Sequence, residues 1–85
     1  MAKVLLTFKV MPATAEVPVE QIQNEIKNKI NPDKISVEPI AFGLEAIIVS
    51  KLVDDAEGAL EKIESFLRSI DGVGEVEVTE ITRTI

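Results

Sequence analysis

An α+β sandwich, a four-stranded antiparallel sheet with two helices on one face, is the architecture this sequence predicts. Three observations point to it. Four stretches either alternate apolar and polar residues with a period of two or run rich in Ile and Val. Two others keep an apolar stripe at helical spacing. Their order is strand, helix, strand, strand, helix, strand, which right-handed crossovers close into one sheet, the ferredoxin-like βαββαβ sandwich. With 85 residues, 46% of them hydrophobic, the chain can build one core, and a single domain over residues 1–85 is expected.

Each element has its own reason. From Lys3 to Met11, Val4, Leu6, Phe8 and Val10 alternate with Leu5, Thr7 and Lys9, so the first set is expected to face the core. Pro12 to Val17 is a loop of small and turn residues. A helix is expected from about Pro18, because a first helical residue needs no N–H. Val19, Ile22, Ile26 and Ile30 form its apolar face, and Asn31-Pro32-Asp33 stops it. Lys34 to Ile40 is a second strand that Pro39 assigns to a sheet edge, since proline has no N–H for a ladder. Leu44 to Val53 is apolar on both faces, as a central strand should be. Ile47, Val49 and Val53 are the favoured covered side, which leaves Lys51 awkwardly on it; the register of Ala46, Ile48 and Leu52 is close behind.

Asp54-Asp55 opens the second helix, where either carboxylate can cap free N–H groups and Glu57 adds favourable charge. Ala56, Leu60, Ile63, Leu67 and Ile70 make its stripe, with Phe66 beside it and Gly72 at the expected left-handed C-cap. Val73 to Thr82 is the last strand. Val76 and Val78 share a parity that Ile81 breaks, so a bulge is expected near Thr79-Glu80.

The corner between the second and third strands, Pro39-Ile40-Ala41-Phe42-Gly43-Leu44, does not fit ordinary turn chemistry. Gly43 suits a turn; Phe42 is not needed for one. The aromatic either folds back onto the core or is displayed as an anchor for a partner, since aromatics dominate binding hot spots.

Composition excludes several functions. The net charge of −6 argues against nucleic acid and against an anionic membrane surface. There is no Cys and no His, hence no thiolate, disulfide or imidazole chemistry, and Ser36, Ser50, Ser65 and Ser69 have no His to activate them. Asp54, Asp55 and Glu57 could hold a hard cation, but acidic residues at a helix start serve first as caps. Gly72-Val73-Gly74 follows a helix rather than preceding one, the wrong context for a nucleotide. An RNA-binding surface on this fold needs aromatics on the central strands, which offer only Phe8. No apolar run spans a bilayer and Met1-Ala2-Lys3 leads straight into a strand, so a cytoplasmic protein without cofactor or metal is expected. Partner binding is the favoured class and enzyme the weakest.

The corner Pro39-Ile40-Ala41-Phe42-Gly43-Leu44-Glu45-Ala46-Ile47-Ile48-Val49 and the run Val53-Asp54-Asp55-Ala56-Glu57-Gly58 resemble the archaeal elongation factor 1-beta family, as does Val73-Gly74-Glu75-Val76-Glu77-Val78. They are also similar to the exchange domain of the eukaryotic beta subunit. The resemblance implies a non-enzymatic guanine nucleotide exchange factor for elongation factor 1-alpha, a GTPase that delivers aminoacyl-tRNA, with no nucleotide held by this chain alone. It implies that the corner, Ile40, Ala41, Phe42, Gly43 and Leu44, contacts the partner, because the family's corner Phe inserts into the GTPase. In the eukaryotic domain a Lys just before the last residue reaches the partner's magnesium site. Thr84 stands there in this chain, so that role does not carry over; the nearest cation, Arg83, is kept as a contact candidate against its plain reading as a solvated tail residue. A second resemblance, at Ile70-Asp71-Gly72-Val73-Gly74-Glu75-Val76, is to small-molecule regulatory domains of the amino-acid-sensing kind, which pair between subunits; Leu5 and Ile48 on the open sheet face could support such pairing.

Overall fold

The computed structural model describes residues 3–54 and 56–84. Expectations resting on Met1, Ala2 and Asp55, and on the side chains of Ala56 and Thr84, lie outside the described residues. The elements are β1 (Lys3–Pro12), α1 (Val19–Ile30), β2 (Lys34–Pro39), β3 (Glu45–Val53), α2 (Ala56–Ser69) and β4 (Val73–Thr84). One sheet orders them β2-β3-β1-β4, and every neighbouring pair is antiparallel. The predicted sandwich is thus observed.

The period-two pattern of β1 sets the core. Val4, Leu6, Phe8 and Val10 are buried, and across the ladder Phe8 faces Val49 while Val10 faces Ile47. Ile22 and Ile26 of α1, Leu67 of α2 and Ile70 just beyond its end close over them. β3 therefore takes the register with Ile47 and Val49 inward and Val53 packed at the margin. Lys51 shares that side without penalty because its stem lies along apolar surface while its head reaches polar company: its Nζ donates 3.0 Å to the carbonyl of Asn31. Asn31 is the left-handed C-cap of α1, with φ 52°, so the lysine satisfies a carbonyl at the helix end.

Boundaries differ slightly from expectation. Pro18 is the N-cap and α1 begins at Val19, since Pro18 has an extended ψ of 109°. β1 and β4 each run further, to Pro12 and Thr84. The parity break in β4 is a register shift: Phe8 pairs with Val78 but Thr7 with Glu80, which leaves Thr79 out and returns Ile81 to the side of Leu6. Gly72 has φ 94°, and its carbonyl accepts the Ala13 N–H at 2.8 Å, tying the loop after β1 to the turn before β4. Pro39 lies on an edge strand, as its missing N–H requires. Asp33 adds an unforeseen tie to β3: its N–H donates to the Ser50 carbonyl at 2.9 Å, and its Oδ2 accepts the Leu52 N–H at 2.7 Å.

Candidate functional site: the β2–β3 corner

The ladder between β2 and β3 ends at Pro39 opposite Glu45. Five residues then reverse the chain. The Ile40 N–H donates to the Leu44 carbonyl at 2.8 Å, and the Leu44 N–H donates to the Ala41 carbonyl at 3.3 Å. Inside that frame Phe42 (φ 64°, ψ 31°) and Gly43 (φ 75°) are both left-handed. Two successive positive φ values with a bond from the fourth residue back to the first are the signature of a type I′ turn, whose right-handed twist matches a hairpin. Such turns favour Asn or Gly at the first central position. Phe42 occupies it here.

That placement is unfavourable in two ways. A left-handed conformation costs an L-residue with a bulky side chain about 1–2 kcal/mol. The aromatic also gains nothing from the fold, because it is 95% exposed. Of the two settings open to Phe42, the core is thereby excluded. Gly43 is needed for its φ rather than for room, as a Cβ there would meet nothing within 4 Å. Ile40 and Leu44 are half-buried and hold the base of the turn, whereas Ala41, Phe42 and Gly43 are exposed. Exposed Glu38 and Glu45 flank the corner, so the aromatic stands in an acidic setting.

Arg83 is not part of this constellation. It pairs with Val4, and Val4 pairs with Val53, at the opposite end of β3 from Glu45. The length of β3 between them is ~26 Å at ~3.3 Å per residue. Any surface using both must span the length of the sheet. Asp54 is engaged elsewhere, its Oδ1 lying 3.8 Å from Lys3 Nζ. Among the described residues no cluster of acidic side chains is arranged to hold a metal, and no helix is long and apolar enough to cross a membrane. Leu5, Thr7, Ile48 and Ser50 line a shallow depression on the open sheet face, where the Thr7 and Ser50 hydroxyls are 3.1 Å apart. Sequence reasoning found the corner but missed its backbone: it read Gly43 as the turn residue and did not foresee a positive φ at Phe42. An aromatic directly before a turn glycine was the available signal.

Comparison with known proteins follows the same lines. Residues 5–84 match the family model of the EF-1 guanine nucleotide exchange domain. The chain is 44% identical over 87 residues to elongation factor 1-beta of Methanothermobacter thermautotrophicus, covering 98% of each chain. It is 48% identical over 83 residues to elongation factor 1-beta of Methanospirillum hungatei, covering 96% of this chain and 98% of the relative. A solved structure, the ACT domain from GTP pyrophosphokinase of Chlorobium tepidum, superposes with a TM-score of 0.74 over 92% of this chain and 88% of that one at 19% identity, a likeness of fold. With a family model spanning nearly its whole length and relatives at this identity over all but a few residues, the chain belongs to the elongation factor 1-beta family of guanine nucleotide exchange domains.

Proposed function

We propose that this chain acts as one exchange domain in the cytoplasm and promotes replacement of GDP by GTP on elongation factor 1-alpha, with the β2–β3 corner as its anchor. The observation that carries the reading is Phe42, an aromatic held 95% exposed on a left-handed backbone. Strain retained in an exposed turn points to use by a partner. Ile40 and Leu44 would fix the turn, Ala41 and Gly43 would let a partner surface approach closely, and Arg83 would make a separate contact at the far end of the sheet.

The mechanism needs no chemistry by this chain. A GTPase holds its nucleotide through phosphate contacts and Mg²⁺. A partner that binds best when that site is disturbed weakens nucleotide affinity by the factor by which nucleotide weakens the partner. Phe42 supplies binding energy for the disturbed state, and the sheet edge presses on loops near the metal. Glu38 and Glu45 beside the anchor speed encounter with a basic surface. The regulatory-domain alternative retains the fold likeness alone, since the ACT neighbour is only 19% identical. The test is release of a fluorescent GDP analogue from elongation factor 1-alpha with and without this chain. Acceleration at catalytic amounts supports the proposal; equal rates refute it.

A further inference from the structure

At the end of the sandwich away from Phe42, the last turn of α1, the end of β3 and the middle of α2 leave an open cleft of about 390 Å³. Its floor is apolar: Ile30, Val53, Ile63 and Phe66, all packed against the core but only partly covered. Its rim is Lys29, Lys51 and Lys62. Among the described residues no acidic one lines it, although the chain carries 15 acidic residues against 9 basic ones. The two ion pairs among the described residues are Lys3 with Asp54 and Arg68 with Glu64, so none of the three rim lysines has a carboxylate partner among them. Lys51 is held in place by one bond to the Asn31 carbonyl. An ammonium has three donors, so two remain for a ligand. An acidic protein that gathers three uncompensated cations around an exposed apolar floor has built a surface complementary to an amphipathic anion.

We propose that this cleft is a docking site for an acidic peptide segment of a protein partner, one that seats a large apolar side chain on Ile30, Val53, Ile63 and Phe66 and lays its carboxylates on Lys29, Lys51 and Lys62. An open cleft favours a segment over a small molecule, because small ligands need most of their surface enclosed. Backbone phosphates would supply charge but no apolar anchor for the floor. The site is independent of the exchange reading, and its test contains no GTPase.

The probe is a capped nonapeptide with leucine and phenylalanine at its centre and glutamates on both sides, titrated into the isotope-labelled chain and followed by amide NMR shifts. Shifts should concentrate at Ile30, Lys51, Val53, Ile63 and Phe66 and leave Phe42 and Gly43 unmoved. The double variant Lys29→Gln with Lys62→Gln should weaken binding about fivefold or more, the scale of two exposed charge contacts, and raised salt should do the same. Both lysines are exposed, so the variant should keep the parent melting temperature and spectrum. A version of the peptide with glutamine for glutamate should bind equally weakly to parent and variant. The proposal is overturned by shifts absent at millimolar peptide, by shifts centred elsewhere, by a glutamine peptide that binds as well as the acidic one, or by a single-stranded oligonucleotide that takes the same lysines more tightly.

Discussion

Phe8 and Phe42 put one side chain in two opposite settings. Phe8 lies at the middle of the central strand β1, fully buried, opposite Val49 on one side and Val78 on the other. Its backbone is ordinary strand, and its ring repays ordering by leaving water. Phe42 is 95% exposed on a backbone of φ 64°. There the local geometry opposes the residue and no burial offsets it. The first position is explained by stability alone. The second has no explanation within the fold, and the proposed function takes its reason from that: an anchor for a partner.

The comparison breaks most visibly at the buried end. Phe8→Ala should destabilise by about 3–5 kcal/mol, and Leu67→Ala, in the same core cluster, by about 2–5 kcal/mol. Chemical denaturation read by far-ultraviolet dichroism checks both. An unchanged midpoint for Leu67→Ala would remove that residue from the core and with it the register of α2.

At the exposed end the order of effects reverses. Phe42→Ala leaves the same left-handed strain and removes almost no buried area, so the melting temperature should stay within about 2 °C of the parent, as for surface changes of a few tenths of a kcal/mol. Binding to the GTPase should nevertheless weaken by about 2 kcal/mol or more, some thirtyfold, the scale of an interface hot spot. Melting and nucleotide release measured on one sample keep the two quantities apart. A folded variant with undiminished exchange would leave the corner without a role.

Phe42→Asn sharpens the contrast further. Asparagine before glycine is the preferred pair of a type I′ turn and tolerates a positive φ. The substitution should therefore stabilise the chain by roughly 1 kcal/mol, the strain that phenylalanine carries, while exchange falls as far as in the alanine variant. A gain in stability coupled to a loss of exchange would show that the strain is kept for a partner. If stability fell instead, Phe42 would be making a contribution to the fold that its exposure does not reveal.

These regions also differ in how far the sequence could be read. Val4, Leu6, Phe8 and Val10 announce their face because burial acts on every second residue, and a single parity break was enough to locate the register shift around Thr79. Pro39 announced an edge because a missing donor cannot be hidden in a central strand. The corner was visible as a residue of the wrong type for a turn, but a side chain does not record the sign of its own φ, so the strain at Phe42 came only with coordinates. Lys51 was legible as a misfit and not as a cap, because its partner, the Asn31 carbonyl, is a backbone group twenty residues away that any sequence would have supplied. The lysine-rimmed cleft was illegible for the same reason: Lys29, Lys51 and Lys62 come from three elements and meet only once the sheet and helices are assembled.

The smallest expected effect tests whether the two ends of the molecule are unequal. Arg83 is exposed on the edge strand β4, opposite Val4, and makes no ion pair among the described residues. Arg83→Ala should change stability by less than about 0.5 kcal/mol, since nothing buried is lost. If Arg83 touches the GTPase at all, it does so as a charge at the rim, and rim charges act on the association rate and its salt dependence more than on the lifetime of the complex. Exchange should then slow by about threefold or less at low salt and match the parent once screening shortens the reach of the charge to a few ångströms, as it does near 1 M. Running the release assay for Phe42→Ala and Arg83→Ala at both salt concentrations separates the ends: the phenylalanine deficit should persist in high salt and the arginine deficit should vanish. Should the arginine variant lose as much exchange as the phenylalanine variant, and keep that loss in high salt, the anchor would have to be placed at the far end of the sheet and the strain at Phe42 would need another explanation.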